Sequence, residues 1–261
     1  MKNHHCNQTK SKSPYASGSG RSVAWLARVV RVHEVVSSNL TAPTILSFLR
    51  FFPPHCYFSR VSQPISQSLI VKLPGIIEPL QPEALFPRAQ PFEVELGSGD
   101  GSFLVNYAKL HPETNFLGVE RLLGRLRKLD RKSQRAGLTN LRCLRIESAY
   151  LIEYLLPPGS VTAIHIYFPD PWPKRKHRKN RLVNQRFTEI ARAALAPHGV
   201  VYLRTDDADY FAQMTEVFGA NSSFRLVETP TTLAEVVTDF ERGFLARGVK
   251  TLRAAYQLVE R

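Results

Sequence analysis

The chain has 261 residues, 43% of them hydrophobic, with 35 Lys/Arg against 22 Asp/Glu and a formal net charge of +13. That length and apolar content suit one large α/β domain or two small ones, and the charge favours a polyanionic partner, although membrane surfaces attract the same charge. The three cysteines, Cys6, Cys56 and Cys143, are widely spaced and form no CxxC pair, which supports neither a disulfide framework nor a zinc site and points to a reducing compartment. The longest apolar run near the N-terminus, Thr44 to Pro53, is short and broken by Arg50, so no transmembrane helix is expected.

Residues 1–77 contain a single acid, Glu34, and are rich in Ser, Arg and His. Apolar patches such as Val23 to Val32 follow no sustained helical or strand period. Acid-poor composition of this kind also describes an organelle transit peptide. The string RSVAWLARVVRVHEVVSSNLTAPTI resembles what appears when a transfer-RNA gene is translated in frame, the signature of a start assigned too far upstream. Residues 1–77 are therefore read as a leader, disordered or preceding the true start. A transit peptide ranks second and a functional domain last. Residues 78–261 are read as the folded domain.

Within that domain, Phe92 to Leu96 lies between Pro91 and Gly97 and reads as a central parallel strand buried on both faces. Ser102 to Leu110 reads as a helix stopped by His111-Pro112, and Asn115 to Val119 as a strand ending at Glu120. A basic helix runs from Arg121 to Ala136, with Leu122, Leu126 and Leu129 on one face and Gly137 as its stop. Leu141 to Ile146 is the third strand, ending at Glu147, and Tyr150 to Leu156 a short helix closed by Pro157-Pro158-Gly159. Val161 to Phe168 is the fourth strand, Asn184 to Leu195 a helix, Val200 to Arg204 the fifth strand, and Asp209 to Phe218 a helix. Phe224 to Glu228 and Leu252 to Val259 are further strands, with a loop expected around Phe240 to Gly248. Strands alternating with helices at this spacing predict a doubly wound α/β sheet, mostly parallel with an antiparallel last strand, whose ligands sit at the carboxyl ends of the strands.

Those strand ends carry acids. Gly97, Gly99 and Gly101 form a GxGxG turn that departs from the dinucleotide fingerprint, because Ser102 stands where the third glycine belongs. Glu95, just before the turn, would repel a pyrophosphate but suits a ligand carrying an ammonium or sulfonium group. Glu120 lies about twenty residues after the turn, where a carboxylate can accept both ribose hydroxyls, and Glu147 sits where adenine contacts fall. Structural alternatives exist for each: a plain glycine turn, a charge favoured by a helix N-terminus, an exposed strand-end acid. Taken together the three acids favour S-adenosylmethionine over NAD.

Phe168-Pro169-Asp170-Pro171-Trp172 reads as a rigid loop, since each proline fixes its own φ and restrains the residue before it. Asp170 is pinned between them at a strand end. Lys174 to Arg181 then holds six Lys/Arg in eight residues; a solvated face or localisation signal is the bland reading, and its place beside the reaction loop favours phosphate contacts instead.

FEVELGSGDGSF, FLGVER, YFPDPWPKRKHRKNR, LRTDD and TDFERGFLARG resemble, in order and spacing, the bacterial transfer-RNA (guanine-N7)-methyltransferase family over roughly residues 78–261. The resemblance implies a Rossmann-like class I fold and methyl transfer from S-adenosylmethionine to guanine N7 in the variable loop of tRNA. It assigns Glu95, Gly97, Gly99, Glu120, Glu147 and Asp170 to the cofactor, with Asp170 also catalytic. It assigns Lys174, Asp206, Thr238 and Glu241 to substrate, and Lys176, Arg178, Lys179 and Arg181 to RNA contact. Glu147 stands where the family usually has Asp or Asn, which affects the adenine contact. No metal and no membrane are implied, and a cytoplasmic monomer or homodimer is expected. A non-catalytic RNA-binding relic of the fold, and a class I methyltransferase acting on another RNA, remain as alternatives.

Overall fold

The computed structural model describes residues 68–259; the leader reading of residues 1–67 lies outside them. Eight strands form one sheet among the described residues: β1 Ile70–Val71, β2 Phe92–Leu96, β3 Asn115–Val119, β4 Leu141–Leu144, β5 Val161–Tyr167, β6 Leu195–Thr205, β7 Phe224–Val227 and β8 Leu252–Leu258. Between them lie α1 Pro82–Leu85, α2 Leu104–Leu110, α3 Leu123–Arg135, α4 Ser148–Tyr150 (continuing as a π-helical turn, Leu151–Leu155), α5 Gln185–Ala194, α6 Ala208–Gly219, α7 Thr231–Glu235 and α8 Asp239–Leu245. The strand order is β1-β4-β3-β2-β5-β6-β8-β7. Pairs from β1 through β6 are parallel, and β8 runs antiparallel to both β6 and β7. The order reverses direction at β2, so the crevice at the carboxyl ends of β2, β3 and β5 is the expected ligand site.

Alternation along the strands divides the core. Val94, Leu96, Leu117, Val119, Ile164 and Ile166 face one side, packed with Leu151, Phe187, Met214 and Phe218 from α4, α5 and α6. Phe116 and Tyr167 face the other, with Phe103, Leu104, Leu126 and Leu129 from the α2 and α3 region. Each large apolar side chain buried this way contributes about 1.5–3 kcal/mol relative to exposure. Helix α3 follows its pattern closely: Leu126, Leu129 and Ser133 are buried, and Gly137 at φ +66° ends the run. Leu122, expected on that buried face, is instead the exposed residue before the helix.

Two differences from the sequence reading bear on the site. Ile70–Val71 pairs with Cys143 and Leu144, so sheet residues lie upstream of the boundary expected at residue 78. The segment expected as a loop at 240–248 is largely helix α8, started by a capping box. Thr238 Oγ1 accepts from Glu241 N at 2.9 Å, and a Glu241 carboxylate oxygen accepts from Thr238 N at 3.2 Å.

Candidate active site

From Leu96 the chain turns through Gly97, Ser98, Gly99, Asp100 and Gly101. The three glycines adopt φ of +77°, +56° and +78°, a region closed to most side chains. A Cβ on Gly97 would meet nothing within 4 Å, and one on Gly99 only the Gly97 carbonyl at 4.0 Å, so these two form an open backbone floor. Gly101 serves packing instead: a Cβ there would lie 2.3 Å from Leu129 Cδ1 on α3.

Glu95, two residues before Gly97, is only 4% exposed, and its Oε2 has no hydrogen-bond partner. Burial pushes its carboxyl up to about 8; the Arg204 guanidinium pulls the value down, while Asp100 and Glu120 push it further up. A buried acceptor without a donor is costly and calls for an explanation. Ser98 Oγ, in the same turn, is likewise buried without a partner. Glu120 is buried but oriented: Oε1 accepts from Leu122 N at 2.7 Å and Oε2 from Gly99 N at 3.1 Å. Each oxygen keeps one lone pair for a further donor. Glu147 is exposed, and one carboxylate oxygen caps α4 by accepting from Tyr150 N at 2.8 Å.

Beyond β5, Phe168 and Trp172 adopt φ of +51° and +45°, values that cost a bulky side chain about 1–3 kcal/mol each. They bracket Pro169-Asp170-Pro171, and the Asp170 carboxylate stands exposed between them. The strain is held by specific contacts. Phe168 N donates to Arg204 O at 2.8 Å, its ring packs against Phe244 at 5.4 Å, and Trp172 meets His177 edge-on at 5.9 Å. Asp206 is exposed two residues beyond Arg204, the partner of Tyr167 in the β5–β6 register, so Asp170 and Asp206 leave neighbouring parallel strands at the same end of the sheet.

The basic run is mostly a 3₁₀ turn, Arg175–Asn180, with Lys174, Lys176 and Lys179 exposed. Arg178 is half-exposed and pairs with Asp209 at 2.8 Å. Arg181, expected on RNA, is turned inward and 2% exposed. Its Nε donates to Pro171 O at 2.7 Å, Nη1 to Gln213 Oε1 at 2.8 Å and Nη2 to Asp209 Oδ2 at 2.6 Å, and its guanidinium lies 4.7 Å from the Tyr210 ring centre. Arg181 therefore clamps the Asp170 loop onto α6, and its burial keeps the guanidinium from phosphate. The Arg181 hydrogen bond, with the charge of Arg178, holds Asp209 below the usual carboxylate range.

Thr238 and Glu241, expected to bind substrate, are used within the fold. Glu241 is 0% exposed; Oε2 accepts from Arg204 Nη1 at 3.0 Å and Oε1 from Arg253 Nη2 at 2.5 Å. Arg204 also donates to the carbonyls of Val236 and Leu233 and lies over the Tyr167 ring. This buried network binds α7 and α8 to β6 and β8. Sequence reading singled out LRTDD for its acids and missed Arg204, and it also missed Ser98, Asp209 and Arg253. Only the fixed T-x-x-E spacing of Thr238 and Glu241 gave a local signal of their capping role.

A doubly wound sheet reversing at β2, with Glu95 near the end of β2, Glu120 and Glu147 after β3 and β4, and an open glycine turn after β2, is the arrangement of a class I methyltransferase. The crystal structure of the 16S rRNA methyltransferase KamB shares the fold at a TM-score of 0.51 and 14% identity, covering 68% of this chain and 92% of that one. The Methyltransf_4 family model, described as "Putative methyltransferase", matches residues 89–254. A tRNA (guanine-N(7)-)-methyltransferase of Chromohalobacter salexigens is 41% identical over 148 residues, 57% of this chain and 60% of that protein. One of Thiobacillus denitrificans is 32% identical over 212 residues, 77% of this chain and 91% of its own length. The chain belongs to the tRNA (guanine-N(7)-)-methyltransferase family.

Proposed function

We propose that this protein transfers a methyl group from S-adenosylmethionine to N7 of a guanine in tRNA. The observation that carries the reading is Glu95, a buried carboxyl raised to about 8 with an unfilled acceptor beside an open glycine floor. A cationic donor would fill that acceptor and restore the charged form. The residues present therefore fit the cofactor: Glu95 for its positive end, Gly97 and Gly99 for close backbone approach, Glu120 for ribose hydroxyls, Glu147 for the adenine side. S-adenosylmethionine, when bound, supplies an electrophilic methyl group on a sulfonium.

Guanine N7 has a free lone pair and no proton to lose, so the protein needs no strong general base. Its task is alignment, which supplies roughly 7–11 kcal/mol in favourable cases. Methylation leaves the purine cationic, and the exposed Asp170 carboxylate, held by a strained loop, opposes that charge as it develops. Asp170 and Asp206 accept from the donors on the guanine edge, while Lys174, Lys176, Arg178 and Lys179 meet phosphates. Thr238 and Glu241 act through the fold by holding α8 in place.

Replacing Asp170 with Asn tests the assignment. Turnover should fall by about 10²-fold, the lower range for loss of one transition-state contact, with S-adenosylhomocysteine affinity changed far less. Near-normal turnover would remove Asp170 from the chemistry. An RNA-binding relic would bind tRNA and transfer no methyl at all.

A further inference from the structure

Helix α3 has a solvent face made almost wholly of cations. Arg125, Arg127, Lys128, Arg131 and Arg135 are exposed along it and Arg121 just before its start, while Leu126, Leu129, Asp130 and Ser133 are buried. The one acid of the helix, Asp130, is turned inward and accepts from Leu69 N, Ser68 Oγ and Gln134. Among the described residues, no carboxylate forms a salt bridge with any of the six exposed cations; Asp100 is paired with Lys132 and lies only within Coulombic reach of Lys128.

A solvated helix ordinarily intersperses the two signs. Here like charges recur at i,i+4 within the helix (Arg127 with Arg131, Arg131 with Arg135), and each such pair is unfavourable. Arg121 and Arg125 also oppose the helix dipole, since the first turn holds no acid. Helix stability is thus given up to keep this face positive.

Its place explains why. The helix begins where Glu120 accepts from Leu122 N, at the rim of the cofactor crevice. It follows β3, whereas the 174–181 run follows β5, and β2 with the glycine floor lies between those two strands. The two basic segments therefore flank the crevice. The positive face also continues past α3: a pocket of about 310 Å³ is lined by Lys109, Lys132, Arg135 and Arg242, with Asp239 its one acid and already paired with Arg242.

We propose that the outer face of α3 is a second tRNA-binding surface, gripping backbone phosphates on the side of the crevice opposite the 174–181 run. This rests on the reading of tRNA as substrate. Leu122 is the one large apolar side chain exposed beside this face, too little to insert into a bilayer, which favours RNA over a lipid surface. About 20 Å of helix presents five of the cations, with Arg121 just before its start, enough to engage several phosphates and fix the substrate's orientation while the reaction loop takes the guanine.

The test is the triple variant Arg127→Gln, Lys128→Gln, Arg131→Gln. Its control, Arg88→Gln, Arg192→Gln, Arg225→Gln, makes the same charge change at the opposite, amino-terminal end of the strands. Three lost phosphate contacts should reduce the slope of log affinity for tRNA against log salt by about two to three units, and raise KM for tRNA at about 0.15 M salt by roughly ten- to a hundredfold. Affinity for S-adenosylhomocysteine should match the wild type, the melting temperature should equal or exceed it because like-charge pairs are removed, and the control should keep the wild-type slope. Reading tRNA binding by filter retention beside methyl transfer separates the two claims. A wild-type chain that forms no 7-methylguanosine defeats the functional reading, while an unaltered salt slope and KM in the α3 variant defeats this one alone. Unchanged tRNA binding with lost binding to phosphatidylserine vesicles would assign the face to a membrane and overturn the proposal.

Discussion

Replacing Glu95 with Gln preserves the shape of the side chain and removes its ability to ionise. In the wild type, burial places the Glu95 carboxyl at about 8. At pH 7 about nine molecules in ten then carry the proton, since one pH unit is a tenfold ratio. A ligand with a cationic group at Oε2 binds the ionised form. Binding should therefore release close to one proton at pH 7, and affinity should rise about tenfold per pH unit between about 6 and 8 and then level. Loss of a hydrogen bond to a charged acceptor, about 1.5–3 kcal/mol, predicts that Glu95→Gln weakens binding ten- to a hundredfold at pH 8.

Stability gives an independent reading with a definite sign. Because the folded value lies above the unfolded one, the contribution of Glu95 is fully present below about 4.5 and is lost as pH rises through about 8. The ligand-free wild type should lose up to about 1.4 kcal/mol per pH unit in that window relative to the Gln variant. Titration calorimetry in two buffers of different ionisation enthalpy counts the protons, and thermal melts across the same pH range read the stability. Comparing S-adenosylmethionine with S-adenosylhomocysteine, which keeps the ammonium and lacks the sulfonium charge, shows which cation Glu95 meets. A wild type that binds without proton release, or a Gln variant with the same affinity and pH slope, would refute the reasoning.

Arg181→Lys keeps the charge but loses the fork that joins Pro171 O, Gln213 and Asp209; it should cost about 1–3 kcal/mol of stability and lower kcat more than it raises KM for S-adenosylmethionine. Wild-type kinetics with an unchanged melting temperature would show that the loop does not depend on the clamp. Gly101→Ala places a methyl 2.3 Å from Leu129 Cδ1 at a φ of +78° and should cost about 2–4 kcal/mol through overpacking and backbone strain. Gly99→Ala has space and suffers only from its φ, so the Gly101 variant must melt at the lower temperature; the reverse order would contradict the packing role.

The sequence made the sheet and its strand-end acids legible because both are local signals. FEVEL and NFLGV are short segments bounded by punctuation, and Glu95, Glu120 and Glu147 fall at or just beyond the ends of parallel strands. What escaped depends on partners distant along the chain. Arg181 looks like one more member of a charge run, and only Asp209 and Gln213, brought up by α6, turn it inward. Arg204 reads as a polar strand end, although the carbonyls that bury it come from Leu233 and Val236. Glu241 was legible as an acid in a motif, but whether it faces substrate or two arginines is decided by tertiary packing. Helix α8 was the avoidable miss, since Thr238 and Glu241 stand at capping-box spacing. The two-residue strand β1 is too short to carry any period and exists through its pairing with β4.

The most direct test of the functional account is transfer of labelled methyl from S-adenosylmethionine to unmodified tRNA by the full chain, followed by nucleoside analysis of the product. The account predicts that the label is recovered as 7-methylguanosine, and that Asp170→Asn abolishes most of it. Label in any other nucleoside, or tRNA bound without label, would contradict it.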